Sequence, residues 1–146
     1  MIPLEQELRR AAPDWPSELC AAVAARGRRV RFADGDALFG PGDAAAAFLA
    51  PLSGAVRVEH AGSAGRSMVL YRVGPGDSCV VTAACMLSGA PYQAWGVAEG
   101  GLEAVALSPA DFRALIEAPP VRREAAGRVV AALAAELGLG DLVTRF

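Results

Sequence analysis

Polar and apolar positions change period twice along the chain. From Leu4 to Gly27 the pattern is helical: Leu19, Val23 and neighbouring alanines give an i, i+4 apolar face, Asp14 is the predicted N-cap, Pro16 suits the first turn and Gly27 ends the run. From Arg28 to Leu107 the period falls to two. RRVRF and SGAVRVEH alternate polar and apolar residues, SMVLYRV (67–73) does so less cleanly, and GLEAVAL (101–107) adds one more strand. AGSAG (61–65) is a five-residue hairpin connection between two of them. Short strands this close together, with glycine at the turns, predict a rolled sheet, a barrel or jelly roll, rather than a βαβ arrangement.

After Ser108 the helical period returns. SPADF is a start signal, with Ser108 as N-cap, Pro109 at the first helical position and Asp111 in the first turn. That helix stops before Pro119-Pro120. A second, VRREAAGRVVAALAAEL, sets Val121, Ala125, Val129, Leu133 and Leu137 on one stripe, and Gly138 and Gly140 then weaken it. The expected fold is therefore mainly β with flanking helices: an N-terminal helix, a double-stranded β-helix and two C-terminal helices. Residues 1–120 form the helix-plus-roll unit and 121–146 a helical segment that needs a partner.

One internal echo supports the roll. FGPGD (39–43) returns as VGPGD (73–77). Pro then Gly fits a type II turn, with Pro fixing φ at the second position and Gly supplying φ > 0 at the third, and the Asp is placed to bond the backbone. Two similar turns in one antiparallel roll explain the echo without any chemistry.

Composition narrows the function. No apolar run approaches the ~18 residues of a membrane span, and MIPLEQELRR lacks a basic-then-apolar leader pattern. Three cysteines, an odd number, fit a reducing compartment, so the cytoplasm is expected. A net charge of −2 argues against direct nucleic-acid binding by this chain.

The order helix, β-roll, helices resembles the cyclic-nucleotide-binding domain of the Crp/Fnr (catabolite-activator/FNR) superfamily of bacterial transcription regulators. The residues that carry the likeness are DGDALFGPGD (34–43), FLAPLSGAVRVE (48–59), GRSMVLYRVGPGDSCV (65–80) and SPADFRALI (108–116). The resemblance implies a phosphate-binding cassette after the second Gly-Asp: a short helical turn offering backbone N–H groups, a Glu for the ribose hydroxyl and an Arg for the phosphate. Here the Glu position falls on Val81 and the Arg position on Tyr92, within Tyr92-Gln93-Ala94. A cyclic phosphate buried without a cation keeps most of its desolvation cost, so cyclic AMP binding is expected to be weak or absent. Arg57 and Arg72 are the nearest basic residues in sequence.

The candidate ligand pocket is then Leu70, Tyr71, Val81, Thr82, Ala83, Tyr92 and Gln93, serving an unidentified small-molecule effector. The competing reading is that these small side chains only fill the roll, leaving a ligand-free interaction or dimerisation module. Cys79 and Cys85 are the candidate redox pair, but C-x5-C is no standard metal spacing, and free cysteines usually pack as small hydrophobes. No metal and no cofactor is expected. His60, the only histidine, reads as a solvated turn residue rather than a haem ligand; Trp95 as a core anchor; Trp15 as packing for the N-terminal helix. A single His cannot supply the two or three that a cupin-type metalloenzyme needs, so catalysis is not expected. The resemblance further implies homodimerisation through Arg122–Phe146, and DNA binding only through a helix-turn-helix module that this chain does not contain.

Overall fold

A proline-punctuated N-terminus lies against one face of a rolled antiparallel sheet. The computed structural model describes residues 2–61 and 67–117. The expected single N-terminal helix is two, α1 (Leu4–Ala11) and α2 (Ser17–Arg26). Ala12 leaves the helical region at φ −126°, ψ 68° because Pro13 follows it. Asp14 is not the N-cap: that place is taken by Pro16, at ψ 146° and with no side-chain cap bond, so α2 starts one residue after the proline. Gly27 does end α2, in extended rather than left-handed backbone. A Cβ there would meet Val105 Cγ1 at 2.3 Å, so close approach to the sheet is what demands glycine.

Five strands follow: β1 (Arg28–Phe32), β2 (Ala37–Phe39), β3 (Phe48–Ala61), β4 (Ser67–Val73) and, after helix α3 (Val80–Ser88), β5 (Ala94–Leu107). All pairings are antiparallel, in the order β1-β5-β3-β4, with β2 also on β5. β3 and β5 are each longer than the alternation alone marked, and β2 and α3 carry no clear periodic signal. Helix α4 (Pro109–Glu117) closes the described chain. The connection read at 61–65 lies, beyond Ala61, outside the described residues, as do the second C-terminal helix, the boundary at 120 and the segment Arg122–Phe146.

The sheet separates two apolar cores. Leu8, Trp15, Leu19, Val23, Phe112 and Leu115 of the helices pack with Phe48, Ala50, Val105 and Leu107 on one side; Val56, Val58, Val73, Ala98, Leu102 and Ala104 fill the roll. β3 serves both cores because its pairing with β5 shifts register at Pro51/Ser53 and again at Ser53/Ala55. Its even-numbered residues face the helices before that irregularity and the roll after it. Gly54, at φ 74°, sits inside the irregularity, and a Cβ there would lie 3.0 Å from backbone of β5.

The two Pro-Gly turns have the expected form. Gly42 (φ 90°) and Gly76 (φ 84°) take the third positions; Asp43 Oδ2 accepts from Gly40 N at 2.9 Å, and Asp77 Oδ2 from Gly74 N at 3.0 Å. A third copy, without proline, occurs at Ala33–Asp36: Gly35 has φ 89° and Asp36 Oδ2 accepts from Ala33 N at 2.8 Å. The N-terminal layer is fastened to the second turn, where the Trp15 indole N–H donates to Gly76 O at 3.0 Å. Ser108 caps α4 as predicted, its Oγ accepting from Asp111 N at 3.1 Å.

Candidate functional site

The mouth of the roll is closed on one side by α3 and on the other by the loop that follows the first Pro-Gly turn. α3 begins where Gly76 and Asp77 end the turn after β4. Its first helical bond runs from Ala83 N to Cys79 O, 3.0 Å. Of the N–H groups ahead of that bond, Val81 N donates to the Tyr71 hydroxyl at 3.3 Å. At the far end Gly89 adopts φ 78°, and Arg113 of α4 donates to Met86 O at 3.0 Å, a cation at the helix's negative end.

Between α3 and the loop lies a cavity of about 400 Å³. Phe32, Leu38, Phe39, Leu49 and Val56 supply its apolar wall; Asp43, Ala44, Ala46 and Ala47 form a thin side of small residues; Cys79, Thr82 and Tyr92 form the α3 side. Tyr92 is buried and held from several directions. Its ring stacks on Phe39 at 3.8 Å and 13°, its N–H donates to Asp43 O at 2.9 Å, and its carbonyl accepts from Gly42 N at 2.8 Å. Its hydroxyl donates to Thr82 Oγ1 at 2.9 Å, and Thr82 Oγ1 donates to Cys79 Sγ at 3.1 Å. Burial pushes the Tyr92 phenol up to about 12, against the opposing Thr82 bond and with smaller upward contributions from Cys79, Cys85 and Asp43.

Of the candidate pocket residues, Thr82 and Tyr92 line this cavity. Tyr71 and Val81 pack partly buried against the roll core, and Ala83 is buried in the other core, against the helices. Leu70 is 48% exposed on β4, and Gln93 is exposed. The alanine loop and Phe39 were absent from the candidates; the run AAAA directly after the first GPGD was the available sign. Trp95 is not a core anchor. It is 42% exposed and covers Gly40, because β5 turns Ala94 and Gly96 inward and Trp95 outward.

The basic residues near the cassette are committed elsewhere. Arg57 and Arg72 are direct cross-strand partners, a repulsive pairing that Glu99 bridges by accepting from Arg57 Nη1 at 3.1 Å and Arg72 Nε at 2.9 Å. Arg57 Nε also bonds Glu59 at 2.5 Å. Hydrogen bonds from Arg72, then Arg57, hold Glu99 below the usual carboxylate range. Alternation with the buried Val56, Val58 and Val73 turns both arginines away from the roll interior.

The three cysteines are free thiols. Cys79 is on the cavity wall; Cys85 is partly buried, its Sγ donating to Pro91 O at 3.7 Å, and burial raises its thiol, as it does that of Cys20. His60 is exposed on β3. Among the described residues no three His, Cys, Asp or Glu side chains converge as a metal site, and no helix is long and apolar enough to cross a membrane.

The model of the cyclic nucleotide-binding domain family matches residues 29–118, more than half of the chain. No curated protein sequence matches. Among solved structures, the catabolite activator protein of Thermus thermophilus is 28% identical with a TM-score of 0.70, over 93% of this chain and 60% of that one. The N-terminal domain of a transcriptional regulator from Streptomyces coelicolor A3(2) is 26% identical with a TM-score of 0.60, over 94% and 93%. The c-di-GMP responsive global regulator CLP of Xanthomonas campestris shares the fold at a TM-score of 0.73 and 18% identity, over 86% and 61%. The chain thus spans about three-fifths of the length of CLP and of the Thermus protein.

Proposed function

Because the chain belongs to the cyclic nucleotide-binding domain family, we propose that it is the ligand-sensing domain of a Crp/Fnr-type bacterial transcription regulator whose effector is not cyclic AMP. The observation that carries this reading is a cavity at the cassette with no basic side chain on its wall among the described residues. Tyr92 stands where the resemblance calls for the phosphate's Arg, and Val81 where it calls for the ribose's Glu. An anion placed there would lose its hydration and gain no counter-charge, a deficit of several kcal/mol. Arg57 and Arg72 do not relieve it, since freeing either one breaks its bond to Glu99. In this reading the domain is non-catalytic and cytoplasmic, dimerises through Arg122–Phe146, and acts on DNA through a module outside this chain.

Thermal unfolding with cyclic AMP tests the reading. A ligand present at 100 times its dissociation constant adds about 2.7 kcal/mol, a shift of several degrees for a domain of this size. No shift at millimolar cyclic AMP is expected, and a shift of that size would sink the proposal. Replacing Val81→Glu and Tyr92→Arg together should create binding. A second reading, a ligand-free interaction module, is favoured by one feature: Met68, Val69 and Leu70 are all exposed on the outermost strand, β4. It requires that Leu70→Arg abolish regulation while filling the cavity leaves regulation intact.

A further inference from the structure

If the effector is not cyclic AMP, the cavity's chemistry narrows it further, and that narrowing rests on the proposed sensing role. The volume, about 400 Å³, falls within the ~300–1,000 Å³ usual for small-molecule pockets. Five large apolar side chains form most of the wall, and the alanines opposite leave the space open. The one side chain of formal charge on the wall, among the described residues, is Asp43, an exposed carboxylate already accepting from Gly40 N. The polar groups inside are the chain Tyr92, Thr82, Cys79, and its direction matters. Tyr92 spends its proton on Thr82, and Thr82 spends its own on the Cys79 sulfur. A ligand is left with the acceptor capacity of the Tyr92 oxygen, deep in the wall, and with only the weak S–H donor of Cys79 at the other end of the chain. A guest must therefore be apolar over most of its surface, carry a hydrogen-bond donor, and bear no negative charge that Asp43 would repel.

We propose that the cavity binds a largely apolar small molecule that carries a hydroxyl or N–H donor and no negative charge, and rejects anions of the same shape. Alcohols, phenols and indoles of up to two fused rings have this chemistry.

The test is calorimetric titration of the full chain with 1-naphthol and indole as neutral donors, 1-naphthoate as the matched anion, 1-naphthylmethylamine as the matched cation, and cyclic AMP. At least one neutral donor should bind with a dissociation constant below about 1 mM, with 1-naphthoate at least about tenfold weaker. Asp43→Asn keeps an oxygen acceptor for Gly40 N and should narrow that gap without closing it, since the anion still loses its hydration with no counter-charge. Ala47→Phe, which puts a ring into the cavity, should weaken neutral binding by about tenfold or more. Should Ala47→Phe fail to fold, Ala47→Leu, a smaller intrusion into the same cavity, takes its place. The inference is overturned if neither neutral donor binds, if naphthoate binds as well as naphthol, or if filling the cavity leaves neutral binding unchanged; binding of the amine agrees with it. Those failures leave the exclusion of cyclic AMP standing. Binding of cyclic AMP itself would instead remove the reading on which the inference rests.

Discussion

At the scale of single residues, Tyr92 joins stability to the candidate site. Its phenol is pushed up to about 12 chiefly by burial, so below pH 10 it is protonated in both folded and unfolded chains and its full contribution stands. Between pH 10 and 12 the unfolded chain ionises and the folded one does not. Stability then falls as pH rises, by on the order of 2–3 kcal/mol across the window. Urea unfolding at pH 9 and pH 11.5 should show that loss in the natural chain, and Tyr92→Phe should remove most of it. At pH 7 the same substitution keeps the Phe39 stack and should cost only about 1 kcal/mol for the lost bond to Thr82. Gly96 guards the other ring of that stack. A Cβ at Gly96 would come within 2.2 Å of Phe39, so Gly96→Ala should destabilise by about 1–3 kcal/mol and loosen any ligand of the cavity, both readable by calorimetry.

At the scale of elements, the sequence made legible what local chemistry decides. Both Pro-Gly-Asp turns and the Ser108 cap involve residues within four positions of one another, and each formed as read. Ser108→Ala should accordingly cost about 1 kcal/mol in urea unfolding, since Asp111 N loses its acceptor. The third turn, at Ala33–Asp36, has the same bonds but no proline to flag it. Helix α3 escaped the pattern for a different reason. VVTAACMLS mixes β-branched and small residues with no amphipathic period, and its helix depends on packing Val80, Ala83 and Met86 beneath it. The pocket was only partly legible for the same cause. Ala83 and Gln93 are next in sequence to residues that line the cavity, yet they face elsewhere, and Leu70 is exposed on β4. Alanines 44, 46 and 47 carry no chemical sign, and only the path of the chain puts them on the wall. Trp95 looked like core because it is large, but strand parity decides its side.

At the scale of the molecule, charges knit the outer surfaces while the interior stays neutral. Arg29 joins Glu7 of α1 to Glu103 of β5, and Arg26 of α2 reaches Asp111 of α4 at 3.4 Å. The Arg72–Glu99–Arg57–Glu59 set ties β4, β5 and β3. Because Glu99 is held below the ordinary carboxylate range, its contribution is present above that range and lost as pH falls through the lowered value. Glu99→Gln should flatten the acid side of the stability profile and leave the two arginines facing each other at neutral pH, which a pH series of melting temperatures would record.

The long strand β5 has a consequence for how the protein comes to exist. It pairs with β1, β2 and β3, yet it is the last strand of the sheet to be made. Arg28 must wait for Ala106, and Phe48 for Leu107, before either has its partner. On the ribosome, then, the first strands emerge with their hydrogen-bonding edges open, and the sheet cannot close until the chain has passed Leu107. Pairing at such separation makes for slow folding and a nascent chain dependent on protection from its neighbours. A chain ending at Gln93 should remain unfolded in circular dichroism and become a substrate for holding chaperones, whereas one ending at Glu117 should fold.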